Sequence, residues 1–292
     1  MKTVPTAAEL RRTLAPLRGT SRIGLVPTMG AFHDGHVALF RAARRSSDLV
    51  VVSSFVNPAQ FGDPADLAAY PRDDARDARI AAEEGIDLLF VPEVAEMYPA
   101  GYATWIEVGG PARGLEGDFR PGHFRGVATV CLKLFTIVGP DVACFGQKDA
   151  QQVAVLTQMV RDLNLDLQIQ IVPTVRDSDG LALSSRNARL SADEMTRALA
   201  IPHALAAGLA AWREGRDPVA AARALLTGVE PDYVEVADLN GRPTLAVAAR
   251  VGRIRLIDNV VLDISSASPG IGERGQSLKE PGNEQPAAAH RT

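Results

Sequence analysis

Residues 23–43 read IGLVPTMGAFHDGHVALFRAA, and how this stretch folds decides the architecture. Ile23 to Val26 is a short apolar run suited to a buried strand, while Val37, Phe40 and Ala43 recur at helical spacing. Between them stand two glycines and two histidines. The stretch is therefore strand, turn, helix, with His33 and His36 where the turn becomes the helix. There the first backbone N–H groups lack partners and the helix dipole is positive, a setting that suits a phosphate. Gly35 lets such a group approach closely, and two imidazoles can donate hydrogen bonds to a phosphoryl group as its charge rearranges. An HxGH pattern alone fits a plain turn or half of a metal site equally well. The flanking strand and helix favour phosphate.

The same alternation continues outward. Thr6 with Glu9 reads as a capping box, giving a helix over residues 6–17. DLVVVSSFV (48–56) is an apolar strand, DDARDARIAAEEG (73–85) a helix that Gly85 ends, and IDLLFVP (86–92) another strand. A second set follows, with helices over 123–139 and 149–164 and strands over 141–146 and 167–175. Strands and helices in this order predict an α/β fold, a mostly parallel, doubly wound, Rossmann-like sheet with helices on both faces. After Val175 the texture changes to the polar loop RDSDGLALSSRNARL (176–190), a helix capped by Ser191 and Glu194, a helix capped by Asp217 with Pro218 at its first position, and three strands. The expected division is a nucleotide- and substrate-binding domain over 1–175, a smaller α+β domain over 176–264, and a tail over 265–292 too poor in apolar residues to order itself.

A hydrophobic content of 46% over 292 residues supplies a packed core. The net charge of −4, with no basic face, argues against a nucleic-acid partner. No stretch approaches the roughly 20 apolar residues of a membrane span, and MKTVPTAAELRR does not resemble a signal peptide. The two cysteines, Cys131 and Cys144, lie in apolar runs and fit neither a zinc site nor a redox pair. A cytoplasmic location and no membrane association are expected.

Doubly wound sheets bind ligands beyond the carboxyl ends of their strands, so the segments there are the ones to read. TMGAFHDGH, NPAQFG, GQKDAQQ and RDSDGLALSSR are all polar and glycine-bearing, which suits one shared cleft. Lys148, Ser184, Ser185 and Arg186, each ordinary loop residues in isolation, would together with the two histidines surround a triphosphate; Arg186 can grip phosphate oxygens in bidentate fashion. Asn57 and Gln60 are neutral and suit the orientation of a small hydroxyl- or carboxylate-bearing substrate, the plain alternative being an Asn-capped turn. Gln152, one helical turn beyond Asp149, points to the same cleft.

PTMGAFHDGH, SFVNPAQFG, DLAAYPRD, FRPGHFRGVATV, FGQKDAQQ and VPTVRDSDGLALSSRN follow one another across residues 26–187, with YVEVADLN farther on. Together they resemble the pantothenate synthetase family, ATP-dependent ligases of the HIGH-type nucleotidyltransferase superfamily. The resemblance implies condensation of pantoate with β-alanine through a pantoyl adenylate, with release of AMP and pyrophosphate. It implies ATP contacts from Met29, Gly30, Ala31, Phe32, His33, Asp34, Gly35 and His36, from Gly146, Gln147, Lys148 and Asp149, and from Val175, Leu183, Ser184, Ser185 and Arg186. His33, His36, Lys148, Ser184, Ser185 and Arg186 would carry catalysis, and Gln60, Gln152 and Asn57 would bind substrate. Mg²⁺ would accompany ATP with Asp77 as an outer-sphere candidate, residues 176–264 would serve as a lid, and the chain would form a homodimer. Departures are Gln147 for the family's frequent Glu, Leu183 for its usual Met, and Ala59 for a larger residue. A nucleotidyltransferase moving AMP or CMP to a phosphate-bearing acceptor is the competing enzyme reading. A nucleotide-dependent regulatory protein is the non-enzymatic one.

Overall fold

Strand β2 (Ile23–Thr28) lies at the centre of a six-stranded sheet in the computed structural model, which describes residues 1–263. Its neighbours are β3 (Leu49–Ser54) on one side and β5 (Val142–Gly146) on the other; β4 (Leu88–Phe90) and β1 (Lys2–Val4) extend the first side, and β6 (Gln168–Val172) the second. All five pairings are parallel. Side chains alternate across the sheet, so Leu25, Val51, Phe90 and Ala143 enter one core while Val26, Val52, Leu89 and Cys144 enter the other. Helices α1 (Ala7–Leu14), α7 (His123–Val138) and α8 (Ala150–Asp162) cover the first face. Helices α2 (Asp34–Ser46) and α4 (Asp74–Glu83) cover the second through Phe40, Ala43 and Ala81. Short helices α3 (Pro64–Ala68), α5 (Val94–Met97) and α6 (Glu116–Phe119) punctuate the connections.

The chain steps from β2 to β3 and β4, then crosses back to β5 and β6, so its direction reverses between β2 and β5. That pair registers only at Gly24 with Val142 and Leu25 with Ala143, whereas β2 and β3 stay paired from Ile23 to Thr28. The carboxyl ends of β2 and β5 therefore part, opening the crevice where such folds bind ligands.

Helices α9 (Ala192–Ala198), α10 (Ala200–Arg213) and α11 (Pro218–Arg223) pack on a three-stranded antiparallel sheet of β7 (Glu230–Asp238), β8 (Pro243–Val251) and β9 (Ile254–Val261). Ser191 and Glu194 form the expected reciprocal cap, and Asp217 accepts from the Val219 and Ala220 N–H groups. The boundary expected at residue 175 falls between the two sheets, and Met1–Leu262 forms one compact unit. The tail expected over 265–292 lies outside the described residues. Two local expectations change. Thr6 caps α1, but the Glu9 carboxylate pairs with Lys2 at 2.9 Å instead of reaching back to the cap. Lys2–Val4, unassigned from sequence, forms the edge strand β1.

Candidate active site

The turn between β2 and α2 is built around a carboxylate. Gly30 and Ala31 both adopt left-handed backbone (φ +81° and +52°), which aims two successive N–H groups the same way. Asp77, in the first turn of α4, takes both: its Oδ2 accepts from Ala31 at 2.7 Å and its Oδ1 from Phe32 at 2.8 Å. With both oxygens occupied and the residue 1% exposed, Asp77 shapes the turn and does not line the cleft. Its carboxylate is spent on backbone, which leaves it unsuited to the outer-sphere metal position expected of it. Phe32 is fully buried against Phe40 and the His36 ring, so it anchors the turn from below.

His33 caps α2. Its Nδ1 accepts from the Gly35 N–H at 3.1 Å, and the His36 Nδ1 accepts from the His33 N–H at 3.3 Å. A neutral imidazole that accepts at Nδ1 carries its proton on Nε2. Both rings thus present Nε2–H donors, with centroids 4.2 Å apart. A Cβ on Gly35 would lie 2.7 Å from the His33 Cε1, so a larger residue here would push the histidine ring out of its cap.

Burial, reinforced by the Lys148 charge, lowers His33 to about 4. Burial, then His33 and Lys148, lowers His36 to about 3. His123 lies at about 4 through burial and the adjacent Arg120. Each value is depressed from an unfolded value of about 6.5. Below that pH the unfolded chain takes up protons that the folded chain refuses, so the stability tied to these groups is complete above about pH 6.5 and is lost as pH falls toward about 4. We expect the Tm to stay level between about pH 7 and 8 and to drop between about 6.5 and 4, with His123→Gln flattening the drop. An unchanged pH slope in that variant would refute the assignment.

One cleft is lined by Met29, His33, Gly35 and His36 from the β2 turn, and by Asn57 and Gln60 from the turn after β3. Gly146, Lys148, Asp149 and Gln152 join them from the β5 end. Val175, Leu183, Ser184, Ser185 and Arg186 close it from the loop after β6. Gly30, Ala31, Phe32, Asp34 and Gln147 do not line it; they belong to the supporting turns.

Gln60 is held by a directed chain. The Tyr98 O–H donates to the Asn57 Oδ1 at 2.8 Å, and the Asn57 Nδ2 donates to the Gln60 Oε1 at 2.9 Å. The Gln60 Nε2 is left as donor, reaching the Met29 Sδ at 3.0 Å. Asn57, 1% exposed, thus orients Gln60 and is not itself free to bind substrate. The whole turn rests on α7: Asn57 Nδ2 also donates to the Gly126 carbonyl at 3.2 Å, and a Cβ on Gly126 would lie 2.3 Å from the Ala59 carbonyl oxygen.

Arg186 pairs with Asp66 at 3.1 Å, which also meets Arg189 at 3.4 Å, and Ser185 donates to the Tyr70 hydroxyl at 3.4 Å. Lys148 stands 3.8 Å from Asp149. Gln147 donates from Nε2 to the Asn259 Oδ1 at 3.1 Å, and Asn259 Nδ2 donates to the Gln147 and Lys148 carbonyls at 2.9 Å each. A glutamate at 147, frequent in the family, would face that Oδ1 with an acceptor, so Gln147 matches its partner on β9. The sequence reading missed Tyr70, Arg120 and His123, all in the cleft wall. Tyr70 stands in DLAAYPRD, and Arg120 and His123 in FRPGHFRGVATV, both outside the loops that directly follow the strands. His123 Nδ1–H donates to the Gln60 carbonyl at 2.9 Å, the opposite tautomer to the paired histidines.

Among the described residues no group of three or more His, Cys, Asp or Glu could hold a metal ion, and no helix is long and apolar enough to cross a membrane. Residues 2–261 match the family model described as pantoate-beta-alanine ligase. Pantothenate synthetase 1 of Bradyrhizobium diazoefficiens is 50% identical over 281 residues, covering 91% of this chain and 99% of that protein. Pantothenate synthetase of Moorella thermoacetica is 48% identical over 283 residues, covering 91% and 100%. Among solved structures, pantothenate synthetase from Thermus thermophilus superposes with a TM-score of 0.85 at 43% identity, covering 90% of this chain and 99% of that one. Pantoate-beta-alanine ligase from Francisella tularensis, complexed with beta-gamma ATP and beta-alanine, gives 0.80 at 35% identity, covering 90% and 98%.

Proposed function

This chain belongs to the pantoate-beta-alanine ligase family, and we propose that its cleft activates pantoate with ATP and passes the pantoyl group to β-alanine. The observation that carries the reading is the pair of Nε2–H donors at the α2 N-terminus, facing Lys148, Ser184, Ser185 and Arg186 across the β2–β5 crevice. A carboxylate is a poor acyl donor because its oxygen is a poor leaving group. In the first step a pantoate carboxylate oxygen attacks the ATP α-phosphorus, the new P–O bond forms, and the bond to pyrophosphate breaks. Gln60 and Gln152 hold the nucleophile in register, which supplies much of the rate. His33 and His36 donate to phosphate oxygens whose charge grows in the transition state, while Lys148, both serines and Arg186 hold the departing pyrophosphate. In the second step the neutral amine of β-alanine attacks the acyl carbon, the amide forms, AMP leaves with the C–O electron pair, and the amine sheds a proton. Closure around the adenylate keeps out water, which would hydrolyse it.

Mg²⁺ would accompany the nucleotide and offset part of its phosphate charge; among the described residues no cluster of carboxylates or histidines would cage it, and Asp149 is the carboxylate that lines the cleft. The buried free thiols Cys131 and Cys144 fit a reducing cytoplasm. The chain is expected to form a homodimer, which light scattering at twice the single-chain mass checks. The competing transfer of a nucleotide to a phosphorylated acceptor would want cations where Gln60 and Gln152 stand.

With ATP, Mg²⁺ and pantoate alone, the protein should exchange labelled pyrophosphate into ATP. Adding β-alanine should yield pantothenate and AMP in equal amounts. Exchange that requires β-alanine would overturn the order of steps, and a nucleotide-capped product would overturn the reaction.

A further inference from the structure

The proposed first step leaves pyrophosphate on Lys148, Ser184, Ser185 and Arg186, and a second, wider cleft opens there. It shares Lys148, Ser184 and Arg186 with the inner cleft, but His33, His36, Gln60 and Gln152 do not line it. This vestibule therefore meets the pyrophosphate end of the site and not the pantoate end.

Beyond the shared residues the vestibule adds four arginines, at 189, 250, 253 and 255. Arg255 is committed to structure, because it grips Glu116 at 2.8 and 2.7 Å and Asp232 at 2.6 Å. Arg250 is held loosely, its Nε 3.5 Å from the other Asp232 oxygen. Arg253, exposed in the turn between β8 and β9, makes no hydrogen bond or ion pair among the described residues. In a chain of net charge −4 this is a local reversal of sign, and a cleft walled by one sign of charge concentrates ions of the other.

Arg189 is reached through Asp66. One oxygen of that carboxylate pairs with Arg186 at 3.1 Å and the other with Arg189 at 3.4 Å, so Asp66 holds both guanidinium groups much as a phosphate would. The mechanism needs Arg186 on the triphosphate, which requires Asp66 to give way. The same displacement frees Arg189.

Resting on the ligase reading, we propose that Arg189, Arg250 and Arg253 form an exit subsite for pyrophosphate, opened when the nucleotide displaces Asp66 from Arg186. Pyrophosphate carries several anionic oxygens, so it can meet the outer arginines before it has let go of Lys148 and Arg186. In the reverse direction the same cations raise the rate of pyrophosphate capture.

Pyrophosphate exchange into ATP reads that capture. In Arg189→Ser/Arg253→Ser the KM for pyrophosphate should rise about tenfold, the loss of two partly exposed charge contacts, while kcat and the KM for pantoate hold. Arg253→Ser alone, which breaks no contact of the fold, should raise it about threefold. The double variant should also flatten the salt dependence of kcat/KM for pyrophosphate. Asp66→Asn should act in the opposite sense and lower the KM for pyrophosphate by a few-fold, a gain that no folding defect would give. An unchanged KM for pyrophosphate in the double variant overturns the subsite, as does an equal rise in the KM for pantoate. Pyrophosphate titrated into the nucleotide-free protein reads the subsite without turnover, and the double variant should bind it more weakly than the wild type. If that difference is found but the wild type shows no exchange, the ligase reading falls and the anion site stands.

Discussion

His36→Ala is expected to slow adenylate formation by about 10² to 10³, roughly 3 to 4 kcal/mol, while ATP affinity changes only a few-fold. The His36 Nδ1 accepts the His33 N–H, which commits the proton to Nε2, and the ring stays neutral because burial and the His33 and Lys148 neighbours disfavour its charge. The donor is thus in place before substrate arrives, and it costs no reorganisation when charge develops on the phosphoryl oxygens. The fold should survive, because α2 keeps its His33 cap and its buried Phe40 and Ala43. A merely structural histidine would give the reverse, with a lower Tm and near-normal chemistry per folded molecule. Single-turnover adenylate formation measured beside thermal unfolding decides, and a stable variant with an unchanged rate would falsify the role.

Gly126→Ala should disable pantoate use almost as severely from outside the cleft's polar lining. The added Cβ would meet the Ala59 carbonyl oxygen at 2.3 Å, its carbon at 2.5 Å and the Gln60 nitrogen at 2.7 Å, all backbone atoms that no rotamer change can move. Either α7 or the Asn57–Gln60 turn must shift by about 1 Å, a misplacement that can cost on the order of 10²-fold in rate. Overpacking should also cost about 1–3 kcal/mol of stability. ATP binding, spread over the α2 N-terminus and the loops after β5 and β6, should change less than pantoate binding. Equal losses in ATP and pantoate affinity would point instead to general unfolding.

The architecture was legible wherever apolar period and capping agreed, as at the β2–α2 junction, Ser191–Glu194 and Asp217–Pro218. β1 escaped because three residues before a proline carry no period, and only their pairing with Leu88–Phe90 makes them a strand. Much of the cleft's lining could be read from loop position after each strand, but Tyr70, Arg120 and His123 could not. Its support could not. Asp77 looked like an acid near phosphate, yet its partners are backbone amides 45 and 46 residues away, reached only through the packing of α4 beside β2. Asn57 likewise reads as a binding amide until Tyr98, 41 residues on, is seen to fix its orientation. Residue type and spacing identify what a side chain can do, whereas burial and long-range contacts decide which of those capacities is already spent.

Asn259 ties the last strand of the small sheet to the carbonyls of Gln147 and Lys148, and Arg176 clamps the adjoining Asp258 with bonds of 2.6 and 3.0 Å. In terms of cooperativity, these contacts join the Lys148 turn and β9 into a single opening unit. A lid over 176–264 that swung on residue 175 would keep the Arg176–Asp258 clamp but would have to tear the Asn259 tie, so the low-cost motion is one in which the lysine travels with the sheet. Any nucleotide that stiffens the turn must then also quieten β9, and heat or denaturant that loosens β9 must release the lysine before the central strands feel it.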